Sequence, residues 1–116
     1  MSNFHGVIVY EILEGGSVLN GVYTNTNTAK TPLGRELSNE IAIKKTGEKE
    51  GIEGKYDSRY IETEPDPNIV THCTLEIVKK GPIYEFVWRD AKNKAFYRGL
   101  GIKAVDNRIA VSYSNA

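Results

Sequence analysis

This sequence predicts an all-β protein, a small antiparallel up-and-down β-barrel of about eight strands. Three observations carry the prediction. Runs of β-branched and aromatic residues recur between clusters of Gly, Pro, Asn and Asp, the strongest strand signal a single sequence offers. No segment longer than a few turns shows the 3.6-residue apolar period of an amphipathic helix. Glycines stand inside strand-like runs, where a closing sheet needs bends and close backbone approach. Short turns join most of the strands, as an up-and-down barrel requires. A two-sheet sandwich is the alternative arrangement of the same strands. The 116 residues are expected to form one domain, 1–116, around a single modest core.

The last third is the clearest. Residues 71–79 read as a strand, Lys80-Gly81-Pro82 as a turn, 83–89 as a second strand and 90–94 as a polar loop. A third strand follows at 95–102, a turn at Asp106-Asn107, and a fourth strand at 108–113. Towards the N-terminus, 4–13 is apolar on both alternating faces. Phe4, Ile8, Tyr10 and Ile12 share one face, and Val7, Val9 and Leu13 share the other. A strand covered on both sides, or one at a partner interface, reads this way. A homodimer through the outer face or edge of this strand, Phe4 to Leu13, is therefore expected. Glu14-Gly15-Gly16-Ser17 supplies a hairpin turn into a strand at 18–24.

Residues 25–37 lack periodicity and read as a loop, with one helical turn at most over 33–41. The next strand, 39–45, alternates, with Ile41 and Ile43 expected inward and Glu40, Ala42 and Lys44 outward. A charged turn covers 46–51 and a short strand 52–56. Residues 57–70 form the longest irregular stretch. Gly99 and Gly101 share a strand face, and a ring is expected to lie across them, with Trp88 the best candidate.

Composition narrows the function. Fifteen basic residues balance fifteen acidic ones, which removes the electrostatic footprint of a nucleic-acid binder. No basic run suggests a membrane surface, and no apolar stretch is long enough to span a bilayer. Cys73 is the only cysteine, so no internal disulfide forms. Met1-Ser2-Asn3-Phe4-His5 has no basic segment followed by a long apolar one, so no signal peptide is expected. The cytoplasm is the expected compartment, and a trimmed exported protein would read the same way.

One resemblance rests on a series of segments: Gly21-Val22-Tyr23, a polar loop with Asn and Gly, Lys79-Lys80-Gly81, and Tyr84-Glu85-Phe86-Val87-Trp88. Tyr97-Arg98-Gly99-Leu100-Gly101 and Ala110-Val111-Ser112-Tyr113 complete it. Their order resembles small uncharacterised bacterial β-proteins that are similar in layout to avidin-like and lipocalin-like (calycin) barrels. The resemblance centres on 71–115 and implies a barrel rather than an activity. Two departures stand out. There is no counterpart of the Gly-x-Trp that opens lipocalins, since Trp88 is the only tryptophan and lies late. The several tryptophans that line a biotin site are also missing, which puts biotin binding in doubt.

Chemistry-bearing patterns are few. Tyr84, Phe86 and Trp88 share one face of their strand by the two-residue period. They read as core, or as the aromatic wall of a ligand cavity. Arg98 shares a face with Phe96, Leu100 and Ile102. It either lies outside or reaches a wet cavity where its planar fork would hold a carboxylate. His72 and Cys73 are neighbours in sequence and point to opposite sides of a sheet, which is wrong for joint metal ligation. Glu62, Glu64 and Asp66 lie in a loop with Pro65 and Pro67 that lacks EF-hand spacing. No nucleophile–base pattern or phosphate-binding glycine loop is present. The expected function is non-enzymatic binding of a small, partly apolar ligand in or at the mouth of the barrel, with Tyr84, Trp88, Tyr97 and Arg98 as candidate ligand-binding residues. No cofactor, metal, nucleic acid or membrane partner is expected. A structural or interaction protein with a filled core is the second reading, and an enzyme on a barrel scaffold the third. Interior volume separates the first two.

Overall fold

The computed structural model describes residues 4–27, 37–48, 50–61 and 70–116. They form eight strands: β1 (His5–Leu13), β2 (Val18–Asn25), β3 (Ser38–Thr46), β4 (Gly54–Ile61), β5 (Val70–Lys80), β6 (Ile83–Arg89), β7 (Ala95–Val105) and β8 (Arg108–Asn115). Each strand pairs antiparallel with the next, and β1 pairs with β8 to close the barrel. The alternating apolar residues explain the closure. An eight-stranded barrel has an interior just wide enough for side chains to fill, and here Tyr10, Tyr56, Phe86, Leu75, Ile77 and Ile109 fill it. Among the described residues, no helix is long and apolar enough to cross a membrane.

The two ends differ. The turns 14–17, 81–82 and 106–107 and the described residues 47–48 and 50–53 gather at one end, which is sealed. Gly16 carries φ 109°, a backbone conformation that glycine adopts without strain. A Cβ there would collide with the Gly51 carbonyl. The Tyr56 hydroxyl donates to the Gly16 and Ile52 carbonyls at 2.7 and 2.8 Å, and Lys44 Nζ donates to the Glu48 and Gly51 carbonyls, both at 2.7 Å. At the other end, the mouth, lie the start of β1, the end of β2, the start of β3 and the end of β4.

Several expectations change. In β3 the faces are reversed. Glu40 and Ala42 are 5% and 0% exposed, while Ile41 and Ile43 are 45% and 44% exposed. Pairing is the physical cause. Leu19 and Gly21, inward on β2, stand opposite Ala42 and Glu40, and partners across a ladder share a face. Large rings occupy the interior, so β3 contributes small or polar side chains there. β4 extends over 57–61, which read as irregular, because it pairs with β5 through Ser58↔Cys73 and Tyr60↔Thr71. Ser38 to Ile41 are strand rather than helical turn; residues 33–36, most of the 25–37 loop and the acidic segment 62–68 lie outside the described residues. The ring across Gly101 is Phe86 rather than Trp88, since a Cβ would stand 2.8 Å from Phe86 Cε1. Gly99 is crowded by the Ser112 carbonyl at 2.7 Å.

The outer surface is two-sided. Across β2, β1, β8 and β7, Val22 pairs with Val9, Val9 with Ala110 and Ala110 with Ile102. Val7, Leu100 and Ile41 extend this exposed apolar band. Over β4 to β6 the outside instead carries the ion pairs Arg59–Asp57, Arg89–Glu76 and Lys80–Glu85.

Candidate functional site

Aromatic side chains converge at the mouth. The alternation of β6 turns Phe86 and Trp88 inward, and β8 does the same for Tyr113. Trp88 Nε1 pairs in space with a group from the far side of the barrel, on β3. The rings of Trp88 and Tyr113 are 5.5 Å apart, those of Tyr97 and Tyr113 5.4 Å, and Trp88 and Tyr97 meet edge-on at 6.4 Å. Phe96 tilts against Tyr97 at 4.8 Å. Across the mouth, Tyr23 and Tyr60 meet edge-on at 6.5 Å, and the Tyr23 hydroxyl donates to the Ile61 carbonyl at 2.9 Å. These rings, with Ile8, Asn25 and Glu40, line a cavity of about 20 Å3. That is room for a water-sized group.

Glu40 forms the polar floor. The Tyr10 hydroxyl donates to its Oε2, and the Trp88 indole N–H donates to the same oxygen at 3.2 Å. Among the described residues, no Lys or Arg pairs with the carboxylate. Burial pushes the Glu40 carboxyl above its ordinary range, and the Tyr10 hydroxyl, the Trp88 indole and the neighbouring Ser58 hydroxyl oppose that shift. Burial likewise raises the Tyr10 hydroxyl well above its usual value, with the Glu40 charge adding to it. Cys73 is pushed up to about 12, first by burial and then by the Glu40 charge, so its thiol stays protonated and unreactive at neutral pH. Ser58 Oγ, buried beside this group, has no hydrogen bond of acceptable geometry, and neither does Ser38 Oγ. Asn25 Nδ2 donates to the Tyr113 hydroxyl at 3.2 Å on the rim.

Of the four candidates read from the sequence, Trp88 and Tyr97 meet at this cavity. Tyr84 sits on the inner face one step beyond Phe86, towards the sealed end, paired with Gly101 and Lys79. Arg98 lies outside, in a surface groove with Glu85, Leu100 and Ser112. Glu40, Tyr23, Asn25, Tyr60, Tyr113, Ile8 and Phe96 also line the cavity and were not among the candidates read from the sequence. Tyr113 was accessible from its alternation with Ile109 and Val111. Glu40 carried no such signal, because Ile41 and Ile43 mark the other face of the strand as the apolar one. Among the described residues, no three His, Cys, Asp or Glu gather as a metal would need. No protein-family model matches the chain, no curated protein matches it, and no solved structure matches it.

Proposed function

We propose that this is a non-enzymatic, calycin-like binding protein that takes a small, partly apolar ligand at the mouth of the barrel. The observation that supports it is the convergence of six aromatic side chains and one buried carboxyl on a single cavity at the mouth end. Ligand sites combine apolar walls with a few placed polar groups in this way. The filled interior restricts the reading to the mouth, where Trp88 and Tyr97 are the contact residues and Tyr84 and Arg98 are not. A bacterial, cytoplasmic protein fits the layout and the buried, unbridged Cys73. The test is a titration of Trp88 emission with 2-phenylethanol, a neutral and partly apolar probe. A saturable change that Tyr97→Ala weakens is expected. An emission spectrum indifferent to neutral and charged probes alike would refute ligand binding at the mouth.

A second reading has its own observation. The exposed band of Val7, Val9, Val22, Leu100 and Ile102 is contiguous across β2, β1, β8 and β7, with the ion pair Arg108–Glu11 at its edge, and contiguous exposed apolar surface marks association sites. On this reading the chain forms a homodimer through the outer face of β1. Sedimentation should then show a dimer that Val9→Lys dissociates, and a monomer at high concentration would dismiss it.

A further inference from the structure

We infer that the mouth takes the ammonium group of a primary amine, seated on the Glu40 carboxylate with its apolar stem between the aromatic rings. This inference rests on the ligand-binding reading above and names the chemical class of the ligand.

Three features of the site agree only for a cation. The first is the state of the carboxyl. Glu40 is 5% exposed, and both of its donors fall on Oε2. Glu40 lines the cavity, and no Lys or Arg of the described residues pairs with it. A buried carboxylate with no cationic partner is costly, and an ammonium ion supplies the missing charge. The second is the wall. Aromatic faces carry negative charge density, which repels an anion and attracts a cation within about 6 Å of a ring. Trp88, Tyr97 and Tyr113 stand around the cavity, so the wall is complementary to the group that the floor requires. A ligand carbonyl or hydroxyl would gain from the floor alone. The third is size. A cavity of about 20 Å3 holds one water-sized group, which an –NH3+ head matches and a quaternary ammonium exceeds. The stem must then lie among the rings at the mouth end.

The test compares 2-phenylethylammonium with its neutral isostere 2-phenylethanol, binding to the full chain. Trp88 is the only tryptophan, so its emission reports this site alone, and calorimetry provides the second readout. The amine should bind at least about tenfold more tightly than the alcohol, as a charge-assisted hydrogen bond requires. Glu40→Gln should abolish that preference, weakening the amine far more than the alcohol. Glu40→Met, close in volume and without a carboxyl, repeats the test should the glutamine variant misfold. Alcohol binding as tight as amine binding would overturn the inference while leaving the binding reading intact, as would an amine preference that survives in both variants. Binding of neither probe would overturn both.

Discussion

Strands β3 and β6 reach across the barrel and touch through one hydrogen bond, Trp88 Nε1 to Glu40 Oε2, yet they are built on opposite logic. In β6 the large side chains face inward: Phe86 is 0% and Trp88 3% exposed. In β3 the large apolar side chains face outward, and the inner face is Ser38, Glu40 and Ala42. The difference teaches that a closed barrel of this size is filled by volume rather than by hydrophobicity strand by strand. Where β1, β4 and β6 supply rings, β3 has to supply small or short polar groups. The isoleucines displaced to its outer side join the apolar band that Val9 and Val22 begin.

The largest effect expected on the β6 side of this comparison comes from Trp88→Ala. Removing a buried indole that also donates to Glu40 should cost about 3–5 kcal/mol, read as a lower denaturant midpoint. An unchanged midpoint would mean that the ring is not part of the packed interior.

The same contrast was only half legible in the sequence. Alternation identifies a strand and its two faces but not which face is inside, and a slip of one residue exchanges them. In β6 the inner face holds all the aromatic residues, so hydrophobicity settles the choice correctly. In β3 each face contains an apolar side chain, and the heavier one, Ile41 with Ile43, points to water. Only the ladder to β2, where Gly21 stands opposite Glu40, decides the phase, and such pairing is a tertiary fact. The barrel itself was legible because its evidence is repeated in every strand. The cavity was not, because its residues come from β1, β2, β3, β4, β6, β7 and β8 and share no local pattern.

On the β3 side, Ala42→Leu should overpack the interior and cost about 1–3 kcal/mol, since Ala42 is fully buried. Gly101→Ala should cost a similar amount by pressing on Phe86. It should leave the Trp88 emission maximum in place, because the displaced ring is not the indole. Stabilisation by either substitution would show unfilled space where the barrel is described as packed. The smallest effect is Ile43→Thr, a β-branched exchange on the outer face, which should stay within about 0.5 kcal/mol of the parent. A loss several times larger would return Ile43 to the interior and restore the opposite phase of β3.

Glu40 decides between the two phases most sharply, since it faces the cavity in one and water in the other. Its folded-state carboxyl lies above the ordinary range because of burial. Its contribution to stability is therefore fully present below the ordinary glutamate titration and is lost as pH rises through the folded value. Glu40→Gln should match the parent in acid and exceed it increasingly towards alkaline pH. The most direct measurement is an NMR titration of the Glu40 side-chain carboxyl carbon in the full chain without added ligand. The account predicts a midpoint above the ordinary glutamate range, whereas an ordinary or depressed midpoint would contradict a carboxyl buried at the floor of the mouth.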